Sequence, residues 1–219
     1  MTTKKREHIV IPKLNLQILD IPIVGNQPYV QNAFSSKMRK AIGDKMREGS
    51  VGKNHRKKDP KDFQAEFENA KHQSPDGWYG IPSAAFRNAM VSACRLCGFP
   101  MTRAKLSVFI QADGYDAQDP SCPLTKITKG EPIYMESVGR VQQTINLMAR
   151  PMFAPGWEAV VRCEWDADQF TATDILALMQ RVGKQVGVGE GRNDSPNSTG
   201  MGWGGFELKV EALNEQEAA

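Results

Sequence analysis

Apolar and polar residues alternate along several stretches of the chain, which is the period of a β-strand with one buried face. Residues 7–24 alternate over much of their length, with apolar residues at Ile9, Ile11, Leu14, Leu16 and Ile18. A second alternation covers 156–165, with Trp157, Ala159, Val161, Cys163 and Trp165 on one face. Extended structure is also predicted over 105–114, 133–143, 145–153 and, as a closing strand, 204–213.

Two stretches carry the 3–4-residue spacing of amphipathic helices. The first follows Pro82 and ends before Gly98, with apolar residues at Ala85, Phe86, Ala89, Met90, Ala93 and Cys97. The second covers 171–187 and has Thr171 or Thr173 as N-cap. With insertions set aside, the order is β-α-β-β-α-β. The pattern therefore predicts one α+β domain, residues 1–219, with a ferredoxin-like (RRM-like) core.

Two segments interrupt this pattern. Residues 26–75 combine Gly, Asn, Asp and Pro with dense charge, and they are interpreted as an inserted basic arm, with a short helix around Phe63 and Phe67. Residues 186–205 form a C-terminal glycine-rich loop, and the stretch 186–208 contains seven glycines. So much backbone freedom suits either a slack linker or a loop that a ligand approaches closely.

The positive charge is concentrated in the arm. Residues 37–61, called the basic segment below, hold ten Lys or Arg and three Asp or Glu, a net charge of +7. Because the whole chain has a net charge of +3, the remaining residues carry −4. Tyr29, Phe34 and Met38 lie among or just before these cations, a mixture that suits a groove for a single strand of nucleic acid.

Composition narrows the function classes further. No apolar run reaches the roughly 18 residues of a membrane helix, and the start of the chain does not have the pattern of a secretion signal, so a cytoplasmic protein is expected. The four cysteines, at 94, 97, 122 and 163, provide one CxxC without a second pair. They are interpreted as reduced cysteines, and no metal or other cofactor is expected.

Several residue types in the pattern suit phosphate and base binding. The glycine-rich loop offers backbone N–H groups, Arg192 adds a planar donor fork, and Trp203 is a candidate for stacking on a base. Ser83 and Arg87, one helical turn apart, could hold a phosphate at a helix start, or Ser83 could simply cap the helix. The candidate cations of the arm are Lys37, Arg39, Lys40, Lys45, Arg47, Lys53, Arg56, Lys57 and Lys58.

Catalytic patterns are weak. Asp113, Asp116 and Asp119 could bind magnesium, but their spacing fits no defined metal loop. No convincing nucleophile–base set or Walker loop is present, and "GVGEG" follows a helix rather than a strand, which argues against a dinucleotide fingerprint. No catalytic residue is assigned.

Three stretches together resemble the RAMP (repeat-associated mysterious protein) superfamily, particularly the repeating backbone subunits of CRISPR effector complexes or a phage-encoded relative. They are "GIPSAAFRNAMVSACR", "VGRVQQTINLMARPMFAPGWEAVVRCEW" and "VGVGEGRNDSPNSTGMGWGGFEL". The resemblance covers residues 78–211 and the first strand. It implies binding of single-stranded nucleic acid, head-to-tail stacking of copies, contacts with other effector-complex subunits, and an arm that separates bases.

The expected function is therefore a non-catalytic subunit that binds single-stranded RNA or DNA, mainly through phosphates, and oligomerises along the strand. One alternative is a metal-dependent endoribonuclease of the same fold, using Asp113 or Asp116. Another is a phage-type protein-interaction or effector-mimic protein whose arm binds a protein. Single-stranded nucleic acid and copies of the chain itself are the expected partners, and no membrane is.

Overall fold

The computed structural model describes residues 11–34, 43–44, 46–47, 61–141, 144–194 and 200–209, without the side chains of 139–146. The described chain is an α+β protein with antiparallel sheets. Its strands are β1 (Leu16–Gly25), β2 (Tyr29–Val30), β3 (Gly80–Pro82), β4 (Val108–Gln111), β5 (Gly114–Tyr115), β6 (Pro123–Lys129), β7 (Pro132–Val141), β8 (Thr144–Phe153), β9 (Glu158–Asp166) and β10 (Phe206–Leu208). Its α-helices are α1 (Phe63–Asn69), α2 (Ser83–Ala93), α3 (Met101–Ser107) and α4 (Ala172–Arg181).

The central sheet has the strand order β10–β1–β9–β4, and each neighbouring pair is antiparallel. β1 and β9 pair over nearly their whole length, from Leu16 opposite Asp166 to Val24 opposite Glu158. β6 and β4 both pair with the same edge of β9. β6 pairs with its first residues, Glu158 and Ala159, and β4 pairs with its later residues, from Arg162 to Trp165. β6 continues the sheet to β3, and β5 adds a short hairpin at the same strand.

The core lies between one face of this sheet and helices α2 and α4. The predicted alternation of β9 is confirmed, since Trp157, Ala159, Val161, Cys163 and Trp165 are all buried. Burial raises the pKa of the Cys163 thiol to about 12, because a thiolate there would have no water around it. The apolar stripe of the first predicted helix is likewise buried at Phe86, Ala89, Met90 and Ala93.

β1 is present, but its apolar positions divide differently from the prediction. Leu14, Leu16 and Ile18 are exposed, whereas Ile21 and Ile23 are fully buried. Residues of odd and even number lie on opposite faces of a strand, so the predicted alternation identified the solvent face rather than the core face. The strand also begins at Leu16, well after the predicted start at residue 7.

The predicted start of the second helix, at Thr171, and the predicted end of the first helical stretch, at Gly98, are both confirmed. The Thr171 hydroxyl and the Asp174 carboxylate form a capping box at the start of α4, and this lowers the pKa of Asp174. Gly98 takes a left-handed conformation just after the short 3₁₀ turn that follows α2. The predicted strand over 105–114 is wrong at its start, because α3 continues to Ser107 and β4 begins at Val108.

A second sheet consists of β2, β8 and β7. β7 and β8 form a long antiparallel hairpin from Pro132 opposite Phe153 to Val141 opposite Thr144. α1 packs against this hairpin, and the Phe67 ring lies 5.3 Å from the Tyr134 ring. The hydrogen bond from the Tyr134 hydroxyl to Glu136 raises the pKa of that hydroxyl.

The predicted arm, residues 26–75, contains packed residues near both of its ends. Tyr29 and Val30 at its start are buried, as are Phe67 and Ala70 near its end, and the Ala33 amide donates to the Ala70 carbonyl at 2.9 Å. Both ends therefore belong to the packed body of the protein. Most of the basic segment between them lies outside the described residues. Within the described ranges, no helix combines the length and apolar character needed to cross a membrane.

Candidate nucleic-acid interface

A groove runs between α2 and the glycine-rich loop. It consists of two adjoining clefts, of about 400 Å³ and about 500 Å³, which share Ala85, Gly189 and Arg192. The first cleft extends to β2 and its following residues, as far as Asn32, and the second follows α2 towards Arg95. Clefts of this size are typical of ligand sites, and here backbone and polar side chains form much of the lining.

The glycine-rich loop has this shape because its glycines adopt conformations that other residues avoid. Gly187, Gly189, Gly191 and Gly204 all have φ between 73° and 82°. A Cβ on Gly204 would lie 1.7 Å from the Val188 carbonyl oxygen, so the two loop segments touch through their backbones. The glycines therefore permit both the turns and the close approach.

Backbone hydrogen bonds hold some residues of the glycine-rich loop and leave other backbone amides of the loop available to a ligand. The Val188 amide donates to the Gly204 carbonyl at 3.0 Å, and the Glu190 amide donates to Val30 at 3.0 Å. The amides of Gly189 and Gly191 make no hydrogen bond within the part of the chain that the structure describes. Unbonded N–H groups in left-handed turns are the donors from which anion-binding nests are built.

Arg192 brings a positive charge to the centre of this groove. Its guanidinium is half-buried and donates to the Gly189 carbonyl at 3.2 Å, which fixes one of its five N–H donors. It lines both clefts, beside the unbonded amides. A phosphate here would meet a guanidinium fork and backbone donors together, which is a strong arrangement for an anion.

The far end of the loop is tied to α2. The Ser92 hydroxyl and the Arg95 guanidinium both donate to the Asp194 carboxylate, the latter at 2.6 Å. The Ser92 bond is the main reason, and Arg95 a further reason, that the pKa of Asp194 is lowered. Ion pair and hydrogen bond together fix the second wall of the groove.

A buried arginine ties the near end of the loop to the hairpin and α1. Arg150, on β8, is 7% exposed. Its Nε donates to Glu190 at 2.8 Å and its Nη1 donates to Glu66 at 2.8 Å. One guanidinium thus joins three parts of the chain, and the hydrogen bonds compensate for removing its charge from water.

The aspartate cluster does not converge on a common point. Asp116 is buried and its carboxylate lies 2.8 Å from His72 Nδ1, within hydrogen-bond distance, and it also accepts from the Gln118 and Asp119 amides. Asp113 accepts the Lys126 amide at 2.8 Å, and Asp119 accepts from the Ser121 hydroxyl. Within the described ranges, no group of three His, Cys, Asp or Glu side chains could hold a metal ion.

Ser83 and Arg87 are not arranged as the predicted phosphate site. Ser83 is 2% exposed, and its hydroxyl bonds the Thr125 hydroxyl at 3.0 Å rather than capping the helix. Arg87 donates through Nε to the Val108 carbonyl at 2.9 Å and through Nη2 to Lys105. Both side chains are therefore engaged with protein atoms in the described chain.

Trp203, the candidate for stacking on a base, lies in a cleft separate from the groove of Arg192. Its indole packs on Gly191, where a Cβ would come within 2.3 Å of the ring, and its amide donates to the Gly191 carbonyl. It lines a third cleft of about 310 Å³ with Asn26 and Met201. The structure does not bring Trp203 into the groove of Arg192.

Of the predicted cations in the basic segment, Arg47 is described and its side chain is 81% exposed, with an ion pair to Asp44 at 3.2 Å. The others, Lys37, Arg39, Lys40, Lys45, Lys53, Arg56, Lys57 and Lys58, lie outside the described residues. The described residues that precede the segment reach the first cleft, because Asn32 lines it.

The groove also contains residues that sequence reasoning missed. Glu190 and His72 are half-buried at its β2 end, where the buried Arg150 behind them bonds Glu190, and Asp194 lies at its other end. Their partners are distant in sequence, so no local spacing could have identified them. The glycine-rich loop and Arg192 are the parts of this candidate site that the sequence also indicated.

No protein-family model matches the chain. No curated protein matches it either.

Proposed function

We propose that this chain is a non-catalytic subunit that binds single-stranded nucleic acid through its phosphates. The observation that carries the proposal is the groove between α2 and the glycine-rich loop, where the Arg192 guanidinium lies near the unbonded backbone amides of Gly189 and Gly191. The basic segment begins five residues after Asn32, which lines the same groove. A charged segment beside an anion site can follow several phosphates of one strand.

The same proposal includes a ferredoxin-like core and a relationship to the RAMP superfamily. The strand order β10–β1–β9–β4, all antiparallel, supports the ferredoxin-like core. Counted along the chain, these four core strands lie side by side in the order fourth, first, third and second. In this arrangement α2 connects β1 to β4, and α4 connects β9 to β10, as in a split βαβ pair. A cytoplasmic location and head-to-tail assembly along the strand belong to the proposal as well.

Contacts with phosphate rather than with base edges follow from the groups in the groove. Backbone amides and a guanidinium recognise the anion that every nucleotide carries, so binding is expected to depend little on sequence. Affinity should instead depend on salt. Each phosphate neutralised on a single strand contributes about −0.7 to the slope of log K against log salt concentration.

The test is fluorescence anisotropy with labelled single-stranded RNA and DNA of mixed sequence, over a series of salt concentrations. Arg192→Gln is compared with Arg181→Gln, an exposed arginine on α4 that carries the same charge change outside the groove. We expect R192Q to weaken binding and to reduce the salt slope by about 0.7, and R181Q to change neither. The proposal is wrong if the wild-type protein does not bind either strand at low salt.

A further inference from the structure

We propose that the start of the open sheet face is a docking surface for the basic segment of a second copy of this chain. The inference rests on the proposed function, because it supplies the contact for head-to-tail assembly. The surface, called the acidic apolar end below, consists of Leu16, Ile18, Phe109, Glu164, Asp166 and Asp168.

The strand register places these residues together. Leu16 lies opposite Asp166, Ile18 lies opposite Glu164, and Glu164 in turn lies opposite Phe109 on β4. Directly paired residues share one face of a sheet, and here it is the face opposite to the helices. The helices pack instead against Val161, Cys163 and the other inward residues of β9.

The surface is apolar and open. Leu16 is 41% exposed and Ile18 is 54% exposed, and Leu14, just before β1, is 70% exposed. Phe109 beside them is half-buried. Neighbouring exposed apolar side chains on a sheet face are typical of a surface that another chain covers.

The surface is also acidic. Asp168 accepts from the Asn15 amide group, and Glu164 accepts from Gln111 at 3.3 Å. None of Glu164, Asp166 and Asp168 makes an ion pair with any residue that the structure describes. Further along the same face Asp20 does have a partner, in the bidentate pair with Arg162.

A nucleic-acid strand does not fit this surface. Sheet faces that bind single-stranded RNA use exposed aromatic side chains for stacking, and phosphates are repelled by unpaired carboxylates. Among the described residues, the acidic apolar end has one aromatic side chain and three carboxylates. The complementary partner is a cationic segment with interspersed apolar residues, and the basic segment has that composition, with a net charge of +7 and with Met38 and Met46.

The position of the two surfaces favours a second copy. The described residues next to the basic segment belong to the second sheet, because Phe34 follows β2 and Lys61 donates to the Leu147 carbonyl on β8, and β2 itself follows Gly25, the last residue of β1. The acidic apolar end lies at the first residue of that strand, Leu16, which is about 30 Å away for a strand of this length. A contact between two different surfaces of identical copies is heterologous, and such contacts build chains or rings of copies.

The test is a charge exchange measured by analytical ultracentrifugation without nucleic acid. The surface variant is E164K/D166K, the segment variant is K57E/K58E, and the control is D76K/E131K, two exposed carboxylates elsewhere. We expect each of the first two variants to weaken self-association by more than about tenfold, because like charges then face each other. An equimolar mixture of the two should associate again, and the control should associate as the wild-type protein does.

A short oligonucleotide that spans one copy separates this inference from the proposed function. If E164K/D166K binds it as the wild-type protein does but no longer self-associates, both ideas are supported. If the wild-type protein is monomeric, or if the mixture does not regain association, the docking inference is wrong, whatever the oligonucleotide result. If copies associate and the oligonucleotide does not bind, the proposed function alone is wrong.

Discussion

Replacing Gly204 by alanine tests whether the backbone of the glycine-rich loop is held in one conformation. Gly204 has φ +73°, and a Cβ there would meet the Val188 carbonyl oxygen at 1.7 Å. Since that neighbour is backbone, it cannot move aside as a side chain would. The loop segments must separate, and the hydrogen bonds of Gly204 to Val188 and Pro28, at 3.0 Å and 2.7 Å, are strained or lost.

The expected loss of stability is the sum of the conformational cost and the contribution of the two hydrogen bonds. A left-handed conformation costs a residue with a Cβ about 1–2 kcal/mol, and each hydrogen bond contributes about 1 kcal/mol. We therefore expect G204A to lower the free energy of unfolding by about 3–4 kcal/mol. The matched control is Gly200→Ala, with φ +68° and no heavy atom of the described chain within 4 Å of its Cβ. It should cost about 1 kcal/mol, from conformation alone.

The measurements are thermal unfolding followed by circular dichroism and binding of a single-stranded oligonucleotide. For a chain of this length, 3–4 kcal/mol lowers Tm by roughly 10 °C, and 1 kcal/mol lowers it by roughly 3 °C. Because the Gly189–Arg192 segment is held through Val188, G204A should also weaken oligonucleotide binding, while G200A should not. Equal effects of the two substitutions on Tm would refute the argument that the Val188 contact matters.

Three further predictions concern other parts of the molecule. Arg150→Met should lower the free energy of unfolding by about 2 kcal/mol in urea titration, because its two carboxylate partners remain half-buried without a counter-charge; an unchanged midpoint would contradict this. Asp194→Asn should be less stable than wild type by up to about 1 kcal/mol at pH 7. Since the pKa of Asp194 is lowered in the folded protein, this difference should disappear as pH falls below the ordinary aspartate range, and a constant difference would contradict it. At pH 8 a thiol reagent should modify exposed Cys97 rapidly and buried Cys163 only after unfolding, as followed by mass spectrometry of peptides.

Local periodicity was enough to predict most of the described elements. The alternation of β9 and the stripe of α2 need only a single chain segment, because each side of a strand or helix is defined by residue spacing. The cap at Thr171 and the left-handed Gly98 are equally local, since the atoms that form them are within a few residues. The glycine-rich loop was found in the same way.

The same reasoning failed where a residue's partner lies elsewhere in the chain. β1 carries apolar residues on both faces, and only its pairing with β9 and the helices decides that Ile21 is buried and Ile18 is exposed. Ser83 has a sequence position that suits a helix cap, but in the fold its hydroxyl bonds the Thr125 hydroxyl instead. No residue near Arg150 in the sequence indicates that it pairs with Glu66. Spacing along the chain determines which residues share a face of a strand or helix. A buried charge or hydroxyl needs a partner, and here that partner comes from a distant segment, which local spacing does not show. For this protein the sequence alone therefore determined most of the described elements and the glycine-rich loop, and the tertiary structure decided which surface is core, which is groove and which remains open.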